Sequence, residues 1–183
     1  MFPVTLGCKM SLLERETVLK VRKALTEAGL EDTVIELADT ARTAEDAASA
    51  IGCELGAIVK SLVFIIGPRF VMSLISGDHS CIEANLPAAL ELEGRVGRVR
   101  ASEVKRKTGY TIGGVPPLAL SCDLPIVIDG SLARFDTVYA AAGHPYCIFS
   151  VSVSDLGRIT GGSFSDCIGE PIKFDMGSAG SAI

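Results

Sequence analysis

Tryptophan is absent from this chain, and aromatic residues of all kinds make up only 5% of its 183 positions. A core without large rings must be assembled from Val, Ile, Leu and Ala, a composition that suits sheets covered by helices. No apolar run approaches the roughly 18 residues that a membrane-spanning helix needs. The strongest, Ala57-Ile58-Val59-Lys60-Ser61-Leu62-Val63-Phe64-Ile65-Ile66, is interrupted by a lysine and ended by Gly67-Pro68. The opening residues, MFPVTLGCKMSLLERE, lack a basic segment ahead of a sustained apolar one, so no secretory signal is expected. The expectation is a cytoplasmic protein without membrane contact.

C-x-x-C pairs are missing as well. Six cysteines (Cys8, Cys53, Cys81, Cys122, Cys147, Cys167) stand at wide, irregular spacings, which suits reduced thiols filling a core better than a disulfide framework. Only two histidines exist, and Asp78-His79-Ser80-Cys81 has no second ligand pair at zinc spacing. The G-x-S-x-G elbow, the P-loop and G-x-G-x-x-G do not occur, which removes the main support for a serine hydrolase, a nucleotide-dependent enzyme or a dinucleotide enzyme. Neither a metal nor a cofactor is expected.

Overall basic charge is lacking too. The net charge of −5 argues against a protein that coats nucleic acid, which requires clustered Lys and Arg. Locally the balance reverses: Arg95, Arg98, Arg100, Lys105, Arg106 and Lys107 are opposed in their own segment only by Glu103. This is either a solvated helix face or a patch that holds one phosphate-rich end of a larger partner.

What is present reads as alternating helices and clustered strands. Ser11-Leu12-Leu13-Glu14 has the form of a capping box ahead of a helical apolar face that Gly29 closes. Residues 34–37 form a short strand, and Thr43-Ala44-Glu45-Asp46 starts a second helix stopped near Gly52. Residues 57–66 and 70–75 read as a hairpin about Gly67-Pro68. Residues 81–92 are expected to be helical, 96–100 a brief strand, and a helix capped by Ser102 ends at Gly109. Strands follow at 126–128, 137–141 and 146–151, and Ser154-Asp155 opens a last helix. From Gly161 the chain looks loosely held, with one candidate strand at 172–174. Such clustering indicates an α+β fold with a mixed sheet.

Four features sit awkwardly in a plain core. Lys60 lies within an apolar strand, so it either snorkels to solvent or points into a cleft where an anion meets it. Gly113-Gly114-Val115-Pro116-Pro117 is a stiff loop with few amide donors, either a tight surface turn or a cradle for a carbonyl or oxyanion. Asp129 follows the run 125–128 at a strand end, as a turn former or a functional carboxylate. His144 stands at a strand exit before Pro145, and is a structural residue or a proton carrier.

In combination these residues resemble the YbaK and prolyl-tRNA-synthetase-associated family of aminoacyl-tRNA editing domains. Thr43-Ala44-Glu45-Asp46-Ala47-Ala48 and Ile58-Val59-Lys60-Ser61-Leu62-Val63-Phe64 resemble its opening half. Gly77-Asp78, Thr108-Gly109-Tyr110 and the Gly113-Gly114 loop look like its middle, and Ile128-Asp129 with Ala142-Gly143-His144 like its closing strands. The likeness runs from about Thr33 to Leu156 and fits a free-standing member. It implies a mixed sheet curled into a partial barrel with surrounding helices, one domain over 1–183, and a loose tail from about 175.

The resemblance also implies an activity: release of a small wrong amino acid (Ala, Ser or Cys) from mischarged tRNA, most often tRNA-Pro. Lys60, Gly113, Gly114, Val115, Asp129 and His144 correspond to catalytic positions, and Ser61, Pro116, Pro117 and Gly143 to substrate-binding ones. The tRNA 3′ end would meet Lys60, Arg98, Arg100, Lys105, Arg106 and Lys107. Alanine-specific relatives often carry asparagine where Ser61 stands. Prolyl-tRNA synthetase is the further partner implied, and the chain is a monomer or homodimer. Because the ester is already activated, a placed water and a stabilised oxyanion suffice, with the neighbouring ribose hydroxyl assisting and no protein nucleophile. Two alternatives remain at this stage. One is a non-catalytic module of the same fold that binds charged tRNA or a synthetase. The other is a thiol hydrolase, which needs a cysteine beside His144; Cys147, read as part of the same strand, would face the other way.

Overall fold

The computed structural model describes residues 11–38 and 43–173. Ten strands and five helices alternate along it: α1 (Glu16–Glu27), β1 (Ile35–Glu36), α2 (Ala44–Ile51), β2 (Ile58–Ile66), β3 (Arg69–Ser76), β4 (His79–Cys81), α3 (Leu86–Ala89), β5 (Val96–Arg98), α4 (Ala101–Thr108), β6 (Ile126–Asp129), β7 (Thr137–His144), β8 (Cys147–Ser152), α5 (Val153–Thr160), β9 (Ser163–Ser165) and β10 (Gly169–Pro171). Eight strands form one mixed sheet in the order β1-β8-β7-β2-β3-β6-β9, with β5 also paired to β2. β10 and β4 form a separate antiparallel pair. The sheet is open-ended along this path and does not close into a barrel.

Side-chain alternation divides the core between the two faces of this sheet. Val59, Met72, Leu74, Ile126, Ile128, Val138, Ala140, Cys147 and Phe149 share one face with α1 and the 110–120 loop. On the reverse face, Phe64, Ile66, Val71, Ile75 and Val127 pack near α3, and Ile58 and Ile148 pack on α2. The long β-branched and aliphatic run of β2 thus lies at the centre of the sheet because both its faces are covered.

Local signals act as their chemistry requires at several ends. The Thr43 side chain accepts from the Asp46 amide while Asp46 reaches back to the Thr43 N–H, a complete capping box. The first helix differs. Ser11 caps a 3₁₀ turn (Leu12–Glu14) and its hydroxyl donates to Glu36, so the expected box with Glu14 gives way to a contact with β1; α1 begins only at Glu16. Residues 81–92 are a strand end, a 3₁₀ turn and one short helical turn rather than a helix, because β4 pairs with β10 and Pro87 sits in the first turn. Residues after Gly161 are not loosely held up to Lys173: β9 joins β6 and β10 joins β4. The strand expected at 172–174 lies earlier, at Gly169–Pro171, and the expected tail from 175 falls outside the described residues.

Candidate functional site

Strand β2 pairs with β3 along one edge, but its other edge has a stretch without a neighbouring strand. Its pairing with β7 stops at Val59↔Ala140, and its pairing with β5 starts only at Phe64↔Arg98. The Gly67 amide donates to the Arg95 carbonyl, so odd-numbered residues direct their peptide groups to this side. The N–H and C=O of Ser61 therefore face the gap. The Ser61 hydroxyl is also buried and has no hydrogen-bond partner among the described residues.

A cavity of about 270 Å³ opens at this gap. Its walls are Lys60, Ser61 and Leu62 of β2, Thr43, Ala44 and Ala47 of α2, Tyr139, Ala141 and Ile148 of the β7–β8 hairpin, and Ile112, Gly113, Val115 and Pro145 above. A second cavity of about 310 Å³ continues from it along β2. The two share Ser61, Leu62, Ile112, Gly113 and Val115, and the second runs on to Val104, Arg98 and Glu83. Ile112 is 60% exposed at the junction, an apolar side chain left where a ligand would cover it.

The glycine-proline loop is positioned by close packing. A Cβ on Gly114 would lie 2.8 Å from the Cα of His144, so only glycine lets the loop rest on the end of β7. The Gly114 amide is already committed to the Thr111 carbonyl at 3.0 Å. Of the three loop residues expected to bind carbonyl oxygen, Gly113 and Val115 thus keep amides without a partner among the described residues, and Gly114 serves as a spacer. Val115, Pro116 and Pro117 are buried, which anchors the loop on the core.

Lys60 is held more firmly than a snorkelling lysine. Its ammonium donates to the Gly77 carbonyl at 3.1 Å and to the His79 carbonyl, leaving one of its three N–H groups. Burial pulls its pKa below the usual lysine value, opposed by the charges of Glu45, Asp78 and Asp129. Asp129 is buried, accepts from the amides of Ser76 at 3.2 Å and Ser131 at 2.9 Å, and caps a 3₁₀ turn (Gly130–Arg134). It is not part of the cavity wall and acts on Lys60 through its field.

His144 and Lys60 are not brought together. Lys60 shares the face of Ile58 and Phe64, whereas His144 pairs with Cys147 on the opposite face. The His144 Nδ1 accepts from the Tyr146 amide at 3.2 Å, which leaves the proton on Nε2, and burial, then Arg15, lower its pKa. The expected one-strand relation of His144 and Cys147 is overturned: they oppose each other across a hairpin and share a face. The thiol is nevertheless pushed up to about 11 by burial, the wrong direction for a nucleophile. Gly143, expected at the substrate, instead lets β7 approach α1: its φ is 86° and a Cβ would run into the Thr17 backbone.

The basic segment is less free than its sequence suggests. Arg98 donates twice to Glu83, Arg100 pairs with Glu103, and Lys107 lies 4.9 Å from the centre of the Phe70 ring. The fold thus adds Glu83 to the opposition that Glu103 offers alone in the local sequence. Sequence reasoning matched the α2 segment to the family without assigning Thr43, Ala44 or Ala47 to the site, and it missed Ile112 and also Arg134, which reaches Asp78 from a distant turn.

Residues 38–159 match the model of the aminoacyl-tRNA editing domain. The chain belongs to the aminoacyl-tRNA editing domain family. It is 34% identical over 141 residues to the uncharacterized protein YwhH of Bacillus subtilis, covering 76% of this chain and 88% of that one. It is 28% identical over 145 residues to a proline–tRNA ligase of Thermotoga neapolitana, covering 74% of this chain but only 25% of the ligase. A solved structure described as a candidate trans-editing enzyme for prolyl tRNA synthetase superposes with a TM-score of 0.78 at 33% identity, over 85% of this chain and 98% of that one. Among the described residues of this editing-domain protein, no helix is long and apolar enough to cross a membrane.

Proposed function

We propose that this editing domain is a deacylase that hydrolyses the ester of mischarged tRNA, with tRNA-Pro carrying a small wrong amino acid as substrate. The observation that carries the reading is the cavity at the open edge of β2, where the buried Ser61 hydroxyl has no partner among the described residues and Gly113 and Val115 line the same wall. A volume of about 270 Å³ suits a small aminoacyl ester, and the adjoining 310 Å³ gives the terminal nucleoside a place along Leu62, Val104 and Ile112.

In this reading the ester carbonyl lies against the Gly113 and Val115 amides, and the tetrahedral oxyanion draws on the same donors. One such donor is worth about 2.7–4 kcal/mol in a water-excluded site. Ser61 orients the aminoacyl group, and the remaining Lys60 N–H faces the ribose or its phosphate. The ribose hydroxyl next to the ester orients the attacking water, so neither Cys147 nor His144 is needed as a nucleophile. Exposed Lys105 and Arg106 meet the acceptor backbone beyond the second cavity.

A non-catalytic carrier of the same fold would bind charged tRNA without consuming it. The test is turnover at a tenfold excess of mischarged tRNA-Pro over protein. Many equivalents of free amino acid support the deacylase, whereas protection of the ester sinks it in favour of the carrier.

A further inference from the structure

The Lys60 ammonium depends on the 76–79 turn, since both carbonyls it contacts belong to Gly77 and His79. That turn is itself clamped from outside the cavity. Both Asp78 carboxylate oxygens accept from the Arg134 guanidinium, at 2.9 and 3.0 Å. Asp78 also accepts from the Ser76 hydroxyl at 2.7 Å and lies 2.6 Å from the His79 Nδ1. The strand and turn leave little freedom: a Cβ on Gly77 would collide with the Leu55 carbonyl, and one on Gly56 would fall 2.8 Å from the Asp78 carboxylate and 3.0 Å from the Arg134 guanidinium. Gly56 thus makes room for the ion pair, and Gly77 lets the turn lie against the Leu55 backbone.

We propose that Asp78 and Arg134 are positioning residues: by fixing the 76–79 turn they set where the Lys60 ammonium stands in the cavity wall. The inference rests on the deacylase reading for its consequence on rate, though not for its geometry. Both bonds to the Asp78 carboxylate come from the Arg134 Nη2, which also donates to the Ser76 hydroxyl at 3.2 Å, while Nε donates to the Ser131 carbonyl at 2.8 Å, so one planar guanidinium ties the turn to the 130–134 segment. The groups whose fields reach Lys60 are Glu45 of α2, Asp78 of the turn, Asp129 of β6 and Cys81 of β4. Removing the Asp78 charge therefore makes Lys60 easier to deprotonate, whereas Arg134 acts on Lys60 through the turn it holds.

The test combines deacylation kinetics with proton–nitrogen correlation spectra of the lysine ammonium groups, the Lys60 signal being assigned by its loss in Lys60→Arg. Asp78→Asn and Arg134→Gln are each expected to lower kcat by about tenfold, with KM changed less than twofold, consistent with lost orientation. The Lys60 titration midpoint moves down in Asp78→Asn, and the Lys60 signal shifts in Arg134→Gln as the turn loosens. Arg134→Lys recovers part of kcat, and Gly56→Ala lowers kcat while every charge is kept. Wild-type kcat and an unmoved Lys60 signal in Asp78→Asn and Gly56→Ala would overturn the proposal. Should the wild-type protein release no amino acid at all, the deacylase reading falls, and the Lys60 signals of Asp78→Asn and Gly56→Ala still decide the clamp.

Discussion

Gly114 rests on the backbone of His144, with space for a hydrogen and none for a methyl group. This contact sets the height of the loop whose Gly113 and Val115 line the cavity at the β2 gap. Gly114→Ala should lower kcat/KM for deacylation by about 100-fold, the scale of loss that follows a misplacement near 1 Å. Steady-state kinetics beside a thermal melt checks it; an unchanged kcat/KM in a folded variant removes the loop from the mechanism.

Ser61 gives a prediction of opposite sign for stability and activity. Its buried hydroxyl has no partner among the described residues, and an unsatisfied buried group costs on the order of 1 kcal/mol or more. Ser61→Ala should therefore leave the free protein as stable as the parent or up to about 1 kcal/mol more stable, while deacylation slows. Urea unfolding and kinetics on the same preparation test both halves. A clear loss of stability would show that the hydroxyl is already satisfied.

His144 predicts a particular pH dependence. Burial, then Arg15, lower its folded pKa, so the unfolded chain takes up a proton before the folded one does. Its contribution to stability is complete above the unfolded value near 6.5 and is lost as pH falls from there through the folded value. Comparing denaturant midpoints of the parent and His144→Gln between pH 8 and pH 5 should show the gap closing toward low pH. A gap independent of pH would remove His144 from the titration. Asp78 behaves alike at lower pH. Although burial works the other way, hydrogen bonds from Arg134, Ser76 and His79 hold its carboxyl well below the usual range, so stability is lost below about pH 3.8.

Salt dependence separates the free cations from the paired ones. Lys105 and Arg106 are exposed, whereas Arg98 and Arg100 are engaged by Glu83 and Glu103. Binding of tRNA should weaken with salt, and Lys105→Ala with Arg106→Ala together should reduce the log–log slope by about 1.5–2. An equal or larger change from Arg98→Ala with Arg100→Ala would mean that the ion pairs open on binding.

Much of this was legible in the sequence, for physical reasons that differ by element. The β2–β3 hairpin follows from an unbroken apolar run on both sides of Gly67-Pro68, and α2 from its own capping box. The cavity residues of β2 and the glycine-proline loop stood out because a lysine in a strand and two adjacent prolines are locally costly choices. The α2 wall did not stand out: Ala44 and Ala47 look like any helix face until β2 loses its neighbour strand. Arg134 meets Asp78 across a long chain separation, a relation that no local periodicity encodes. Asp129 and His144 were legible as unusual residues, yet their geometry is that of a turn cap and a hairpin partner outside the cavity wall. The segment 81–92 misled because its apolar spacing suits a helix, while pairing of β4 with β10 decides the backbone there.

The most direct measurement is the release of amino acid from tRNA-Pro charged separately with Ala, Ser, Cys, Thr and Pro, at catalytic amounts of protein. The account predicts rapid turnover of one or two of the small residues Ala, Ser and Cys, with Pro-tRNA-Pro spared. Release of none of them, or release of proline as fast as the rest, would contradict it.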